Sequence, residues 1–212
     1  MNIYQGHEFV DLSLPSGTLW ATCNMGANKP EEYGDYYAWG EIKPKNKYDA
    51  NSYKYIKENN ILPKTNFLFL LTKYCQESNF GYAGFTDELT VLESVDDAAT
   101  VNWGNGWCIP SKEQWEELIK NTENTWTTRN GVNGRLFSAK NDQTLFLPAA
   151  GFRWNDELNR AGSYGGYCSS TLRTDRPDLV WDFFFKSDRY RIFDDFRGDG
   201  LSVRPVRSAR QN

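Results

Sequence analysis

The sequence predicts one domain of mixed strands and helices. Three observations predict it. Ser111–Lys120 carries a complete helix signature, Val10, Leu12 and Leu14 alternate as a strand with one apolar face, and no internal repeat or linker divides the 212 residues.

In order, the strand at Val10–Leu14 runs into a turn at Pro15-Ser16-Gly17, and Leu19-Trp20-Ala21 resumes an apolar strand. Residues 25–48 are rich in Gly, Pro, Asn and Tyr. They predict an ordered loop pinned by Tyr33, Tyr36, Tyr37 and Trp39. Residues 49–66 read as polar and irregular. Asn66–Glu77 reads as a short helix around Phe67, Leu68, Leu71 and Tyr74, and 78–92 as a loop. Glu93–Val101 reads as a helical turn, followed by a tight turn between Trp103 and Trp107. In the Ser111–Lys120 helix, Pro110 precedes a capping box from Ser111 to Gln114. Trp115, Leu118 and Ile119 then fall on one face. Asn130-Gly131 and Asn133-Gly134 are turn signals. Leu136-Phe137 and Thr144–Leu147 flank a further turn at Asn141-Asp142. Phe146–Gly151 reads as a buried strand that ends abruptly.

Composition narrows the function classes. Net charge −4 argues against general nucleic-acid binding, which needs a basic footprint. The longest apolar run, Phe67–Leu71, is far too short to cross a membrane. Cysteines 23, 75, 108 and 168 form no C-x-x-C pair and read as buried, reduced thiols. The turn between the two tryptophans lacks the third glycine of a dinucleotide fingerprint. His7, the single histidine, lies before the first strand and makes a poor general base. Asp96-Asp97 reads as helix-dipole chemistry in preference to a metal pair. No cofactor and no metal site is expected.

The last quarter differs from the rest. Residues 1–157 hold all 13 Glu, and residues 158–212 hold none. The first part has 11 Lys and 3 Arg, the second 1 Lys and 9 Arg, while Asp divides 8 to 7. Solubility alone gives no reason for that exchange. Recognition does, because Arg forms planar, bidentate contacts and is enriched at interfaces. The alternative is a polar β-meander of chance composition. In the Phe183-Phe184-Phe185 run, a strand must turn at least one ring outward; the alternative is two rings in the core and one at a strand edge.

Several strings occur in order: VDLSLPSGTLWATCNMGA, EEYGDYYAWGE, DDAATVNWGNGWCIPSKEQWEEL, WTTRNGVNGRLF, LFLPAAGFR, GSYGGYCSS and SVRPVR. From about Phe9 to Arg207 they resemble the Fibrobacter succinogenes major paralogous domain family. The resemblance implies an α+β, C-type lectin-like fold. Two helices would pack on small antiparallel sheets, and the first and last strands would pair, with Val10–Leu14 and Ser202–Val206 closing the domain. It implies a scaffold at about 9–170 and 201–207, a binding surface at about 171–200, and a cell-surface or virion setting. A related enzyme class generates formylglycine, but Cys168 has no partner thiol in view and stands where relatives carry Trp. Trp154-Asn155-Asp156 matches a calcium-ligand element of C-type lectins, yet lacks its usual partner motif and reads as a turn.

The same fold serves variable proteins of diversity-generating retroelements, whose AAY codons mutate at adenines. Such codons reach Asp, Arg, Tyr, Phe, Leu, Ser and Gly, but not Glu, Gln, Lys, Met or Trp. Residues 171–201 hold 7 Asp, 5 Arg and 5 Phe, no Glu, Gln or Met, and one each of Lys and Trp. The resemblance thus implies diversified, ligand-binding positions at Arg173, Asp178, Leu179, Asp182, Phe184, Lys186 and Asp188. It adds Arg189, Arg191, Phe193, Asp194, Asp195, Phe196 and Asp199, with Trp181 and Ser187 as framework. Lys186 is the awkward member, being out of reach of AAY codons. The expected function is non-enzymatic recognition of a protein or glycan. The alternatives are a formylglycine-generating-type enzyme and a structural cell-surface module.

Overall fold

The computed structural model describes residues 2–57 and 70–208. The chain begins with β1 (Asn2–Tyr4), β2 (His7–Asp11), β3 (Thr18–Ala21) and β4 (Tyr36–Tyr37). Two helices follow, α1 (Ala98–Trp103) and α2 (Lys112–Asn121). A meander of β5 (Glu123–Arg129), β6 (Val132–Ser138) and β7 (Thr144–Pro148) leads to the hairpin β8 (Phe152–Trp154) and β9 (Glu157–Asn159). The last part holds β10 (Gly165–Leu172), β11 (Leu179–Phe185), β12 (Tyr190–Phe196), β13 (Leu201–Ser202) and β14 (Val206–Ser208).

These form four sheets, ordered β1-β2-β3-β14, β12-β11-β10-β13-β4, β5-β6-β7 and β8-β9. Strand accounts for 38% and helix for 10%, which corrects the expected α+β, C-type lectin-like class to a mainly β fold. The physical reason lies in the helices. The helix expected over Asn66–Glu77 begins outside the described residues, and 70–77 is not helical. Leu71 bridges to Ile56 and Gly81, and Tyr74 takes a left-handed φ of 57°, which a helix interior excludes. Helix α1 spans six residues, so α2 is the one long amphipathic helix among the described residues.

The expected pairing of first and last strands is also corrected. The last strand pairs antiparallel with β3, Val206 facing Trp20, while β1 lies at the opposite edge. The expected strand over Ser202–Val206 is split. Its first residue, Ser202, ends β13 in the second sheet, and its last, Val206, opens β14 in the first. The N-terminal strand stops at Asp11, because Ser13 turns left-handed at φ 52°. Asn130-Gly131 forms the β5–β6 turn with both φ positive, as an Asn-Gly hairpin requires. Asn133-Gly134 instead lies inside β6. There an added Cβ on residue 134 would stand 2.4 Å from the Leu147 carbonyl, so the glycine serves close strand approach.

Helix α2 starts as its sequence dictates. The Ser111 hydroxyl accepts from Gln114 N–H, and Gln114 Oε1 accepts from Ser111 N–H at 2.9 Å. Ser111→Ala should lower stability by about 1 kcal/mol, read as a lower urea midpoint with unchanged slope. Its buried face carries Trp115 and Leu118. The Trp115 ring stacks on Phe183 at 5.1 Å and meets Trp20 at 4.6 Å. The adjacent carboxylates divide their work. Asp97 caps α1 by accepting from Thr100 N–H and also accepts from Ile109 N–H. Asp96 pairs with Lys54 and Lys73.

Alternation along β11 then separates two cores. Phe183 and Phe185 enter the one around Trp20, Trp115 and Phe137, and Val180 enters the one around Trp39, Tyr53 and Tyr74. Phe184 points with Val180, so the triplet puts two rings into one core and one onto the opposite face.

Candidate functional site

The β11–β12 hairpin builds the site. Its register sets Phe184 opposite Arg191, Asp182 opposite Phe193 and Val180 opposite Asp195, so these six share one face. A four-residue loop closes the hairpin, with Lys186 N–H donating to the Arg189 carbonyl at 2.8 Å.

This face lines a cleft of about 240 Å³. Its floor is aromatic. Phe184 lies 4.9 Å from the Tyr164 ring and 6.4 Å from Phe193, and Phe152 stands 5.4 Å from Tyr164. Its rim is cationic, with Arg160, Lys186, Arg189 and Arg191. The Arg191 guanidinium sits 4.3 Å from the Phe193 centroid, and Lys186 Nζ sits 5.6 Å from that of Phe184. Ring faces attract such cations by about 0.5–1 kcal/mol at exposed sites. Among the described residues, none of the four has a carboxylate within ion-pair distance.

Carboxylates lie beneath this rim. Asp195 accepts from the Tyr164 hydroxyl at 3.3 Å. Asp182 is fully buried, and neither of its oxygens has a hydrogen-bond partner. Burial, then the negative charges of Asp195 and Asp194, pushes Asp182 well above the usual carboxylate range. Burial likewise raises Asp195. It raises Asp199 to about 7, with the Asp195 charge adding to the effect. Burial thus shifts Asp182 and Asp195, the acids beneath the cleft, toward their neutral forms.

Of the fourteen candidate positions, six line the cleft: Phe184, Lys186, Arg189, Arg191, Phe193 and Asp195. The others are placed elsewhere. Arg173 pairs with Asp175 and Asp194, and Asp178 is buried against Arg176. Leu179 is half-buried opposite Phe196, which packs 6.4 Å from Tyr53. Asp188 is exposed in the hairpin loop, Asp182 is sealed in the sheet, and Asp199 is half-buried past the end of β12. Trp181 carries Lys112 over its ring at 4.0 Å. Phe152, Arg160 and Tyr164 complete the cleft from upstream of 171. Arg160 had a signal, since it belongs to the Glu-free, Arg-rich tail. Phe152 and Tyr164 had none, because aromatic residues at turns and in Gly-rich strings read equally well as core.

The other motifs resolve into structure. Cys168 faces Asp182 across the sheet, is 1% exposed, and is pushed up by burial, which opposes thiolate reactivity. All four cysteines are unpaired. His7 stacks on Trp103 at 3.6 Å, and burial lowers its pKa. Asn155 sits at the β8–β9 turn with φ 56°, and Trp154 beside it is exposed. Among the described residues, no group of three or more His, Cys, Asp or Glu side chains is arranged to hold a metal ion. Among the same residues, no helix is long and apolar enough to cross a membrane. Compared with family models, curated proteins and solved structures, the chain matches none.

Proposed function

We propose that this chain is a non-enzymatic recognition protein that binds a protein or glycan through the open face of its β11–β12 hairpin. The observation that carries the reading is the set of four cations, without carboxylate partners among the described residues, gathered over an aromatic floor. Aromatic rings supply buried contact area and arginines set specificity at interfaces. Arginines that serve only the fold find partners inside it, as Arg173 and Arg176 do.

The proposal includes kinship with the Fibrobacter succinogenes major paralogous domain family and a cell-surface or virion setting, without the lectin-like architecture. It also includes diversification of 171–200 by a retroelement. The positions that tolerate it best are the open-face ones, Phe184, Arg189, Arg191 and Phe193. Change at buried Asp178 or Asp182 would disturb the sheet. In the encoding DNA, a nearby repeat differing only at adenines is expected; without it, diversification drops out and binding alone remains. Binding is tested by comparing the protein with its Arg191→Ala, Phe193→Ala double variant on glycan and peptide arrays. The double variant should keep the thermal midpoint and lose the array signal. An unchanged signal would move the binding surface off this face.

A further inference from the structure

The cleft borders a strand edge. In the five-stranded sheet β12 is the outermost strand, and among the described residues no strand or bridge pairs with the free side of its Tyr190–Asp194 stretch. In an antiparallel ladder, alternate residues of an edge strand aim N–H and C=O away from the sheet. An extended peptide can satisfy those groups by adding as a sixth strand, with its side chains dropping into pockets along the edge.

The side chains of β12 state which peptide. Arg191 and Phe193 are two residues apart and share the cleft face, so a strand laid beside β12 presents two of its own side chains to them. The one beside Arg191 meets a cation that has no carboxylate partner among the described residues, and Arg160, Lys186 and Arg189 stand close by. The one beside Phe193 meets the aromatic floor. The single carboxylate in the cleft, Asp195, is held by Tyr164. No amide side chain lines the cleft, so sugar hydroxyls meet few acceptors there. Charge complementarity therefore favours a carboxylate over a basic or neutral group, and the edge favours a polypeptide over a glycan.

Resting on the recognition reading above, we infer that β12 takes an extended acidic segment of a partner protein by strand addition, with an acidic residue beside Arg191 and an apolar one beside Phe193. The probe is a blocked heptapeptide in which Glu alternates with Val and Phe. It is titrated into the full chain while backbone amide signals and their hydrogen exchange are followed. Exchange of β12 amides should slow on binding, and affinity should fall as salt rises. N-methylation of alternate peptide amides should weaken binding about tenfold or more, and so should Arg191→Ala.

Other outcomes overturn the inference. Equal binding of the N-methylated peptide removes strand addition. Equal binding of a Lys-for-Glu peptide removes the acidic specificity. A dimer in sedimentation, with β12 amides protected before peptide is added, assigns the edge to a second copy of the chain. If oligogalacturonate shifts the cleft signals and the heptapeptide does not, the recognition reading stands and this inference falls. If none of the probes shifts them, both fall.

Discussion

Arg197→Ala is expected to lower stability by on the order of 4 kcal/mol, among the largest losses any single side chain here can produce. The Arg197 guanidinium is fully buried, and among the described residues no carboxylate lies within ion-pair distance of it. Its charge is held by dipoles and rings. Nε donates to the Tyr53 hydroxyl at 2.8 Å. Nη1 donates to the carbonyls of Tyr74 at 3.0 Å and Pro177 at 2.9 Å, and Nη2 to that of Lys73 at 3.1 Å. The Trp39 centroid lies 5.0 Å from the guanidinium carbon and that of Tyr53 5.3 Å. Bonds to a charged group contribute roughly 1.5–3 kcal/mol each, less than additively, and truncation leaves the acceptors unpaired and a cavity behind. Arg197→Lys should recover only part, since one ammonium cannot reach acceptors on three separate segments. Urea unfolding of the three proteins decides the matter; an alanine variant within 1 kcal/mol of the parent, on the scale at which surface substitutions act, would refute it. The site depends on this clamp. Arg197 follows β12 directly, and its N–H donates to the Asp178 carbonyl at 3.1 Å, so it anchors the end of the hairpin away from the loop.

Arg197 also shows where sequence reasoning stops. The composition of the Arg-rich tail points to recognition chemistry, yet four of its nine arginines, Arg173, Arg176, Arg197 and Arg204, find partners inside the fold. Arg204, too, is fully buried, donating to Asn24 Oδ1 at 2.9 Å and to the Ala21 carbonyl at 3.1 Å. Composition cannot separate a structural arginine from a displayed one, because carbonyls that hold the first, such as those of Tyr74 and Ala21, lie more than a hundred residues away in the chain. Local signals carried further. The capping box placed α2, whose first helical residue is Lys112, directly after the Ser111 cap, and Asn130-Gly131 placed the β5–β6 turn. Asn133-Gly134 has the same dipeptide and no turn, since the closeness of β7 decides what that glycine does. Leu71 and Tyr74 had helical spacing, but bridges from Leu71 to both sides held that segment extended. The alternation of Phe183, Phe184 and Phe185 was legible; which face carried two rings depended on where α2 docked.

The protein should be more stable at mildly acidic pH than at alkaline pH, and Asp199→Asn should remove much of the difference. Burial raises Asp199 from 3.8 to about 7, so folding favours its protonated form. The sign follows from proton linkage. Stability from this group is fully present below pH 3.8 and is lost as pH rises through about 7. At about 1.4 kcal/mol per unit, that is roughly 4 kcal/mol in all and roughly 2–3 kcal/mol between about pH 5 and pH 8. Asp182 and Asp195, both raised by burial, act in the same direction. Asp96 acts oppositely. Burial alone would raise it, but donors from Lys73, Tyr55, Lys54 and Tyr74 hold it well below the usual range. Its contribution is present above its ordinary value and is lost only in stronger acid. His7, lowered by burial, also opposes the trend, with its contribution lost as pH falls below its ordinary range. Urea unfolding at about pH 5 and pH 8 is the test. The parent should lose stability on going up, and Asp199→Asn should lose less. A flat or rising profile in the parent, or an undiminished gap in the variant, would refute it.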